Sequence, residues 1–215
     1  MDHDDFEHEP IRGLPEMLPP GERILWQGAP DVRALLRDAL RIRWVSAYFL
    51  VLFAWKTVDA AAAIPWAAAA GEASFFLVLW GVTAALLWAV AWAQAKATVY
   101  TVTDRRVVMR IGAALTMTLQ FPYRWIGAAD LKLAADGTGT VAFQTLGRTR
   151  MSYLMTWPHV RPWRFNPTQP ALRCIPDAAS VARLIADAAG AVPSRAAAAD
   201  PSEPQHPGGL AVPAE

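Results

Sequence analysis

The stretch ASFFLVLWGVTAALLWAVAWAQA occupies residues 73–95 and holds no charged side chain between Glu72 and Lys96. At about 1.5 Å per helical residue it reaches about 34 Å, enough to cross a hydrocarbon layer of about 30 Å with slight tilt. Trp88 and Trp92 fall near its Lys96 end, where amphipathic rings favour the headgroup layer. An earlier apolar block, 44–64, is interrupted by Lys56 and Asp59, and only PWAAAAGE separates the two blocks. A transmembrane helical hairpin over 44–95 is therefore expected. The competing reading, a buried soluble hairpin, asks a chain of 215 residues to wrap two long apolar blocks completely.

Arg33, Arg37, Arg41 and Arg43 precede the first block, Lys96, Arg105, Arg106 and Arg110 follow the second, and the connecting residues 65–72 carry no basic side chain. Cytoplasmic flanks retain positive charge, so a multi-pass protein of the bacterial inner membrane with both termini cytoplasmic is expected. The start, MDHDDFEHEP, lacks a basic opening and an early apolar run, so it reads as an acidic flexible leader over 1–20 and not as a signal peptide. A charge at mid-bilayer costs ~2.5 to 3.5 kcal/mol, which makes Lys56 and Asp59 conspicuous. Spaced i, i+3, they can pair on one helix face near the far interface, or offer a docking point for another membrane helix. One carboxylate and one amine without a third group make no catalytic set.

Residues 30–43 read as an amphipathic helix opened by Pro30 and Asp31, with Val32, Leu35, Leu36, Ala39 and Leu40 on one face and Arg33, Arg37 and Arg41 on another. Such a helix suits the lipid surface, with Arg37 and Arg41 near anionic headgroups, or runs straight into the span. A first strand lies before it, within 21–29. From Lys96 to Gly190 the pattern turns to period-two alternation, with a tight turn at Asp104 and Arg105 and a hairpin signal at Asp136–Gly139. The last of seven expected strands runs over 149–155, and a helix follows, capped by Asp177, with its stripe at Val181, Leu184, Ile185 and Ala188 and its stop at Gly190. Residues 191–215, rich in Ala and Pro, read as a disordered tail.

The segment TWPHVRPWRFNPTQPALR, 156–173, carries four prolines that argue against regular structure. Trp157, Arg161, Trp163, Arg164, Phe165 and Arg173 offer stacking and charge-assisted contacts, the mixture that interface hot spots favour. The alternative is packing over the end of the strands, or an aromatic belt at the membrane.

A net charge of +1 gives no field to attract nucleic acid. Cys174, the single cysteine, excludes an internal disulfide. His159 has no Cys or His at ligand spacing, and His3 and His8 sit in the acidic leader, so no metal site is expected. Neither apolar block holds a histidine, which argues against an axial ligand to haem or a chlorophyll. No cofactor and no catalysis are expected.

The segments EPIRGLPEMLPPGERILWQGAPD at 9–31, Tyr48 and Phe49, YTVTDRRVVMRIG at 100–112 and WPHVRPWRFNPTQPALRCIPDAA at 157–179 resemble the PuhB family, photosynthetic complex assembly proteins within a wider group of bacterial membrane proteins with pleckstrin-homology-like domains. The GERILW and YTVTDRRVV elements belong to the wider group, and the leader and WPHVRPW point to PuhB. The resemblance implies an α+β membrane protein whose two-helix hairpin is inserted after the first strand of a pleckstrin-homology-like barrel with a C-terminal capping helix. It also implies a non-enzymatic role in assembling the reaction centre and its core antenna in the photosynthetic intracytoplasmic membrane, those polypeptides and lipid as partners, and a homodimer. The competing function is a general lipid- or peptide-binding module, with Arg105, Arg106 and Arg110 on anionic lipid.

Overall fold

The residues after Lys96 form strands, of which β2, β3 and β8 are buried on nearly every position and β5 stays exposed or half-buried. In the computed structural model, which describes residues 11–113, 115–146 and 151–198, β1 (Ile24–Gly28) precedes the helices α1 (Val32–Asp38), α2 (Ile42–Ala61), α3 (Trp66–Ala73) and α4 (Phe75–Ala97). There follow β2 (Val99–Thr103), β3 (Arg106–Ile111), β4 (Met117–Pro122), β5 (Ile126–Leu133), β6 (Gly139–Thr145), α5 (Tyr153–Thr156), β7 (Val160–Phe165), β8 (Thr168–Ile175) and α6 (Ala178–Ala198). Two antiparallel four-stranded sheets result, ordered β1-β2-β3-β4 and β5-β6-β8-β7. Residues 1–10 with His3 and His8, the start of the expected strand at 149–150, and the tail from 199 lie outside the described residues.

The hairpin around Asp104 and Arg105 pairs Tyr100 with Met109 and Val102 with Val107, and all four are buried. β1 pairs with β2 through Trp26 and Val102, so strands on either side of the long helical excursion are neighbours in one sheet. Between the sheets lies a core of Tyr100, Met109, Phe121, Val141, Phe143 and Leu172, closed by Val181, Ile185 and Ala188 of α6. The apolar stripe of α6 thus has the single docking surface that its spacing demands.

Four expectations are corrected. Segment 156–173 is regular, forming β7 and β8, so the described strands number eight. Its prolines sit where a ladder tolerates them: Pro162 on the edge strand β7, Pro167 in the β7–β8 turn, and Pro170 ahead of the β8 residues that pair with β6. No strand forms at 151–155, where the helical turn α5 begins. α1 neither lies on a lipid surface by its apolar face nor continues into α2. Leu35 and Ala34 are buried against Ala91 of α4 and Cys174 of β8, and Arg41, at φ 56°, breaks the chain between the two helices. Finally, α6 passes Gly190 and runs to Ala198, because the alanines beyond it are strong helix formers.

Asp31 opens α1 as expected, its carboxylate accepting from the backbone N–H of Ala34 at 2.8 Å. Among the described residues, one helix is long and apolar enough to cross a membrane by length and composition, Trp66–Ala97, which joins α3 and α4. α2 does not reach that measure, since Arg43, Lys56 and Asp59 lie within its 20 residues. α2 packs along α3 and α4, and Trp80 Nε1 donates to Ser46 Oγ at 2.9 Å. The start of α2 therefore meets the first half of α4, and the last turns of α4 rise past it to be flanked by α1.

Candidate functional site

Where α4 hands over to β2, a chain of hydrogen bonds runs through buried polar side chains. Thr98 Oγ donates to the Gln94 carbonyl in the last turn of α4 at 2.7 Å, so its oxygen is left to accept from His159 Nε2 at 3.2 Å. His159 Nδ1 must then accept, and the Tyr100 hydroxyl supplies that hydrogen at 2.6 Å. The Tyr100 oxygen in turn accepts from the Arg173 backbone N–H at 3.3 Å. Every hydrogen is used once, which assigns the Nε2–H tautomer. Burial, then the nearby Arg173 charge, pushes the His159 pKa down to about 3, so the ring is neutral. Burial likewise raises the Tyr100 hydroxyl, and pushes the Cys174 thiol up to about 11.

This chain fixes the start of β7 against the end of α4, and β7 then carries the sequence-expected partner residues. Trp163 is 77% exposed and adopts φ 63°, and its ring meets Phe165 edge-on at 6.5 Å. Phe165 leans on Tyr153 of α5 at 4.5 Å, while Leu154, Met155 and Trp157 of the same corner are exposed. Arg161 is turned inward. Its guanidinium pairs with Asp130 of β5 and reaches Gln169 Oε1 at 3.2 Å, while the Gln144 amide and Arg161 together hold Asp130 below the usual carboxylate range. Arg164 is exposed beside Trp163. Arg173 is buried, and its Nη1 donates to the Val160 carbonyl at 3.0 Å.

A groove of about 470 Å³ opens between the α1–α2 corner, the outer face of β5 and β6, and β7. It brings together Arg41, Arg161, Trp163 and Arg173, four of the residues singled out in the sequence, and adds Asp38, Asp130 and Lys132, which sequence reasoning missed. Trp157 and Arg164 lie outside it. Lys132 was discoverable only through register: it pairs with Thr140 on β6, and both face the groove.

The remaining basic residues are placed differently. Arg37 bonds Asp38 at 2.9 Å and Asp136 at 2.5 Å, tying α1 to the β5–β6 turn, where its charge holds Asp136 below its ordinary pKa. Arg106, expected near lipid, forms an ion pair with buried Glu22 at 2.9 Å and a bond to Gln120. Arg105 is exposed in the β2–β3 turn, and five strand residues separate that turn from the end of α4. Lys56 and Asp59 do pair, at 2.9 Å. Among the described residues no three His, Cys, Asp or Glu side chains converge on a metal-sized space.

Two antiparallel sheets closed by a C-terminal helix define the class. The bacterial PH domain family matches residues 42–189, and the chain belongs to that family. It is also 44% identical over 198 residues to a protein of Rhodobacter capsulatus, with 89% of this chain and 90% of that one covered, described as an uncharacterized 23.7 kDa protein in the puhA 5′ region. No solved structure matches. The family match begins at Ile42, so β1, although paired to β2, lies ahead of it.

Proposed function

We propose that this chain is a non-enzymatic assembly factor for the photosynthetic reaction centre and its core antenna, held in the bacterial inner membrane by a two-helix hairpin with both termini cytoplasmic. The carrying observation is the exposed corner of α5 and β7, where Leu154, Met155, Trp157, Trp163 and Phe165 stand uncovered beside Arg164. Large aromatic and arginine side chains collected on an edge strand are suited to a protein partner. Support for the class of partner comes from the PuhB resemblance and from a relative described by its place beside the photosynthesis gene puhA.

The membrane reading is supported by Tyr48, Leu50, Val51, Trp55 and Val58 of α2 and by Val78, Val82 and Leu86 of α4, all exposed and apolar. Trp44 lies at the start of α2 as one interfacial belt would, and Trp55 and Trp66 gather toward its other end as a second belt would. Lys56 and Asp59 satisfy each other near the second belt. His159 is buried and spends both ring nitrogens on Thr98 and Tyr100, as a histidine that joins interior elements does.

A photoactivatable crosslinker at position 163 in growing phototrophic cells tests the partner. Capture of reaction-centre or antenna polypeptides is expected, together with reduced levels of both complexes and continued free pigment synthesis in a deletion strain. Unchanged complexes in that strain would remove the reading.

A further inference from the structure

The groove at the α1–α2 corner has a charge pattern that the assembly role does not use. Four cationic side chains, Arg41, Lys132, Arg161 and Arg173, face two carboxylates, Asp38 and Asp130. Both carboxylates are already engaged, Asp38 by Arg37 and Asp130 by Arg161 and Gln144. The Arg41 and Lys132 side chains make no hydrogen bond or ion pair among the described residues, and both are exposed. Arg173 is 4% exposed, and its buried Nε has no hydrogen-bond partner. Its positive charge stands in the groove wall, where burial weakens screening and favours an anion in the groove.

The groove is continuous with the membrane segment. A second cavity of about 560 Å³ shares Asp38 and Arg41 with it and extends to Arg43, Trp44 and Ala47 on the first turns of α2. We propose that the two cavities together hold one anionic phospholipid, its phosphate beside Arg41, Lys132 and Arg173 and its acyl chains descending past Ala47 and the exposed Trp44. Guanidinium and ammonium groups favour phosphate, and a choline cation in the same place would be repelled. The Arg41 backbone, in the left-handed region at φ 56°, turns the chain at the point where the two cavities meet. This inference rests on the membrane reading of α2 but not on the assembly role.

The test uses the full chain in neutral detergent, stripped of lipid, with short-chain phosphatidylglycerol, phosphatidylcholine, inorganic phosphate and an oligoglutamate peptide as separate probes. Phosphatidylglycerol should raise the melting temperature and remain as one bound copy in native mass spectra, and phosphatidylcholine should do neither. Arg41→Gln and Lys132→Gln should each weaken phosphatidylglycerol binding by about tenfold while leaving the lipid-free melting temperature unchanged, since neither side chain is packed. Equal protection by phosphatidylcholine, or unchanged affinity in both variants, would overturn the site. Equal protection by inorganic phosphate would overturn its lipid source, and protection by oligoglutamate without lipid binding would reassign it to an acidic polypeptide. A normal deletion strain, which would end the assembly reading, leaves these outcomes untouched.

Discussion

Protonating His159 is the sharpest way to stress the junction between α4 and the strands. The ring is neutral because burial opposes its charge, with a pKa near 3 in the fold against 6.5 in an open chain. The unfolded chain therefore takes up a proton that the folded chain refuses, so stability is complete above about pH 7 and falls as pH descends from 6.5 toward 3. Each unit is worth about 1.4 kcal/mol, so the step to pH 5 alone costs on the order of 2 kcal/mol. That is a large share of a typical stability of about 5–15 kcal/mol. His159→Gln is the matched control, because its amide can still donate to Thr98 and accept from Tyr100 without ionising. Denaturant unfolding of the full chain in detergent, followed by near-ultraviolet circular dichroism at pH 7.5, 6 and 5, reads the difference. Wild type should lose about 2 kcal/mol more than the variant across that range. Parallel profiles would refute the neutral, fully bonded imidazole.

Tyr100→Phe should cost about 2–3 kcal/mol in the same assay, because it strands both His159 Nδ1 and the Arg173 N–H in the interior. Glu22→Ala should cost about 3 kcal/mol, measured from the denaturation midpoint, since it takes the buried carboxylate from Arg106 and one of two acceptors from the Thr103 hydroxyl. Asp31→Ala should remove about 1 kcal/mol with the α1 cap, read as a lower melting temperature. Trp163→Ala should leave the unfolding free energy within about half a kcal/mol of wild type, because the ring is 77% exposed, while reducing co-purification of reaction-centre polypeptides.

The β2–β3 hairpin could be read directly from sequence, because Tyr100 and Val102 alternate with Thr101 and Thr103 ahead of the Asp104–Arg105 turn, and a β-branched run follows it. β7 and β8 could not, because proline counts say nothing about which backbone N–H groups a ladder requires, and that is decided by strand order. The Trp and Arg content of 157–165 was visible as a candidate surface, yet its two halves do different things. Trp163 and Phe165 stay outside, whereas Arg161 turns to Asp130, a residue 31 positions away. His159 gave no local sign of its role, since Thr98 lies 61 positions and Tyr100 59 positions from it. The groove is hidden for the same reason: Arg41, Lys132, Arg161 and Arg173 sit on four different elements or their ends.

Gly28 and Tyr100 are register partners across β1 and β2, so the chain leaves the first sheet and rejoins it within about 5 Å of the same place. To the sheet, residues 29–98 are one very long connection, which a turn of a few residues could replace while leaving every strand residue in place. An expression plasmid joining Gly28 to Val99 by such a turn would ask how much of the two-sheet core stands without α1 to α4.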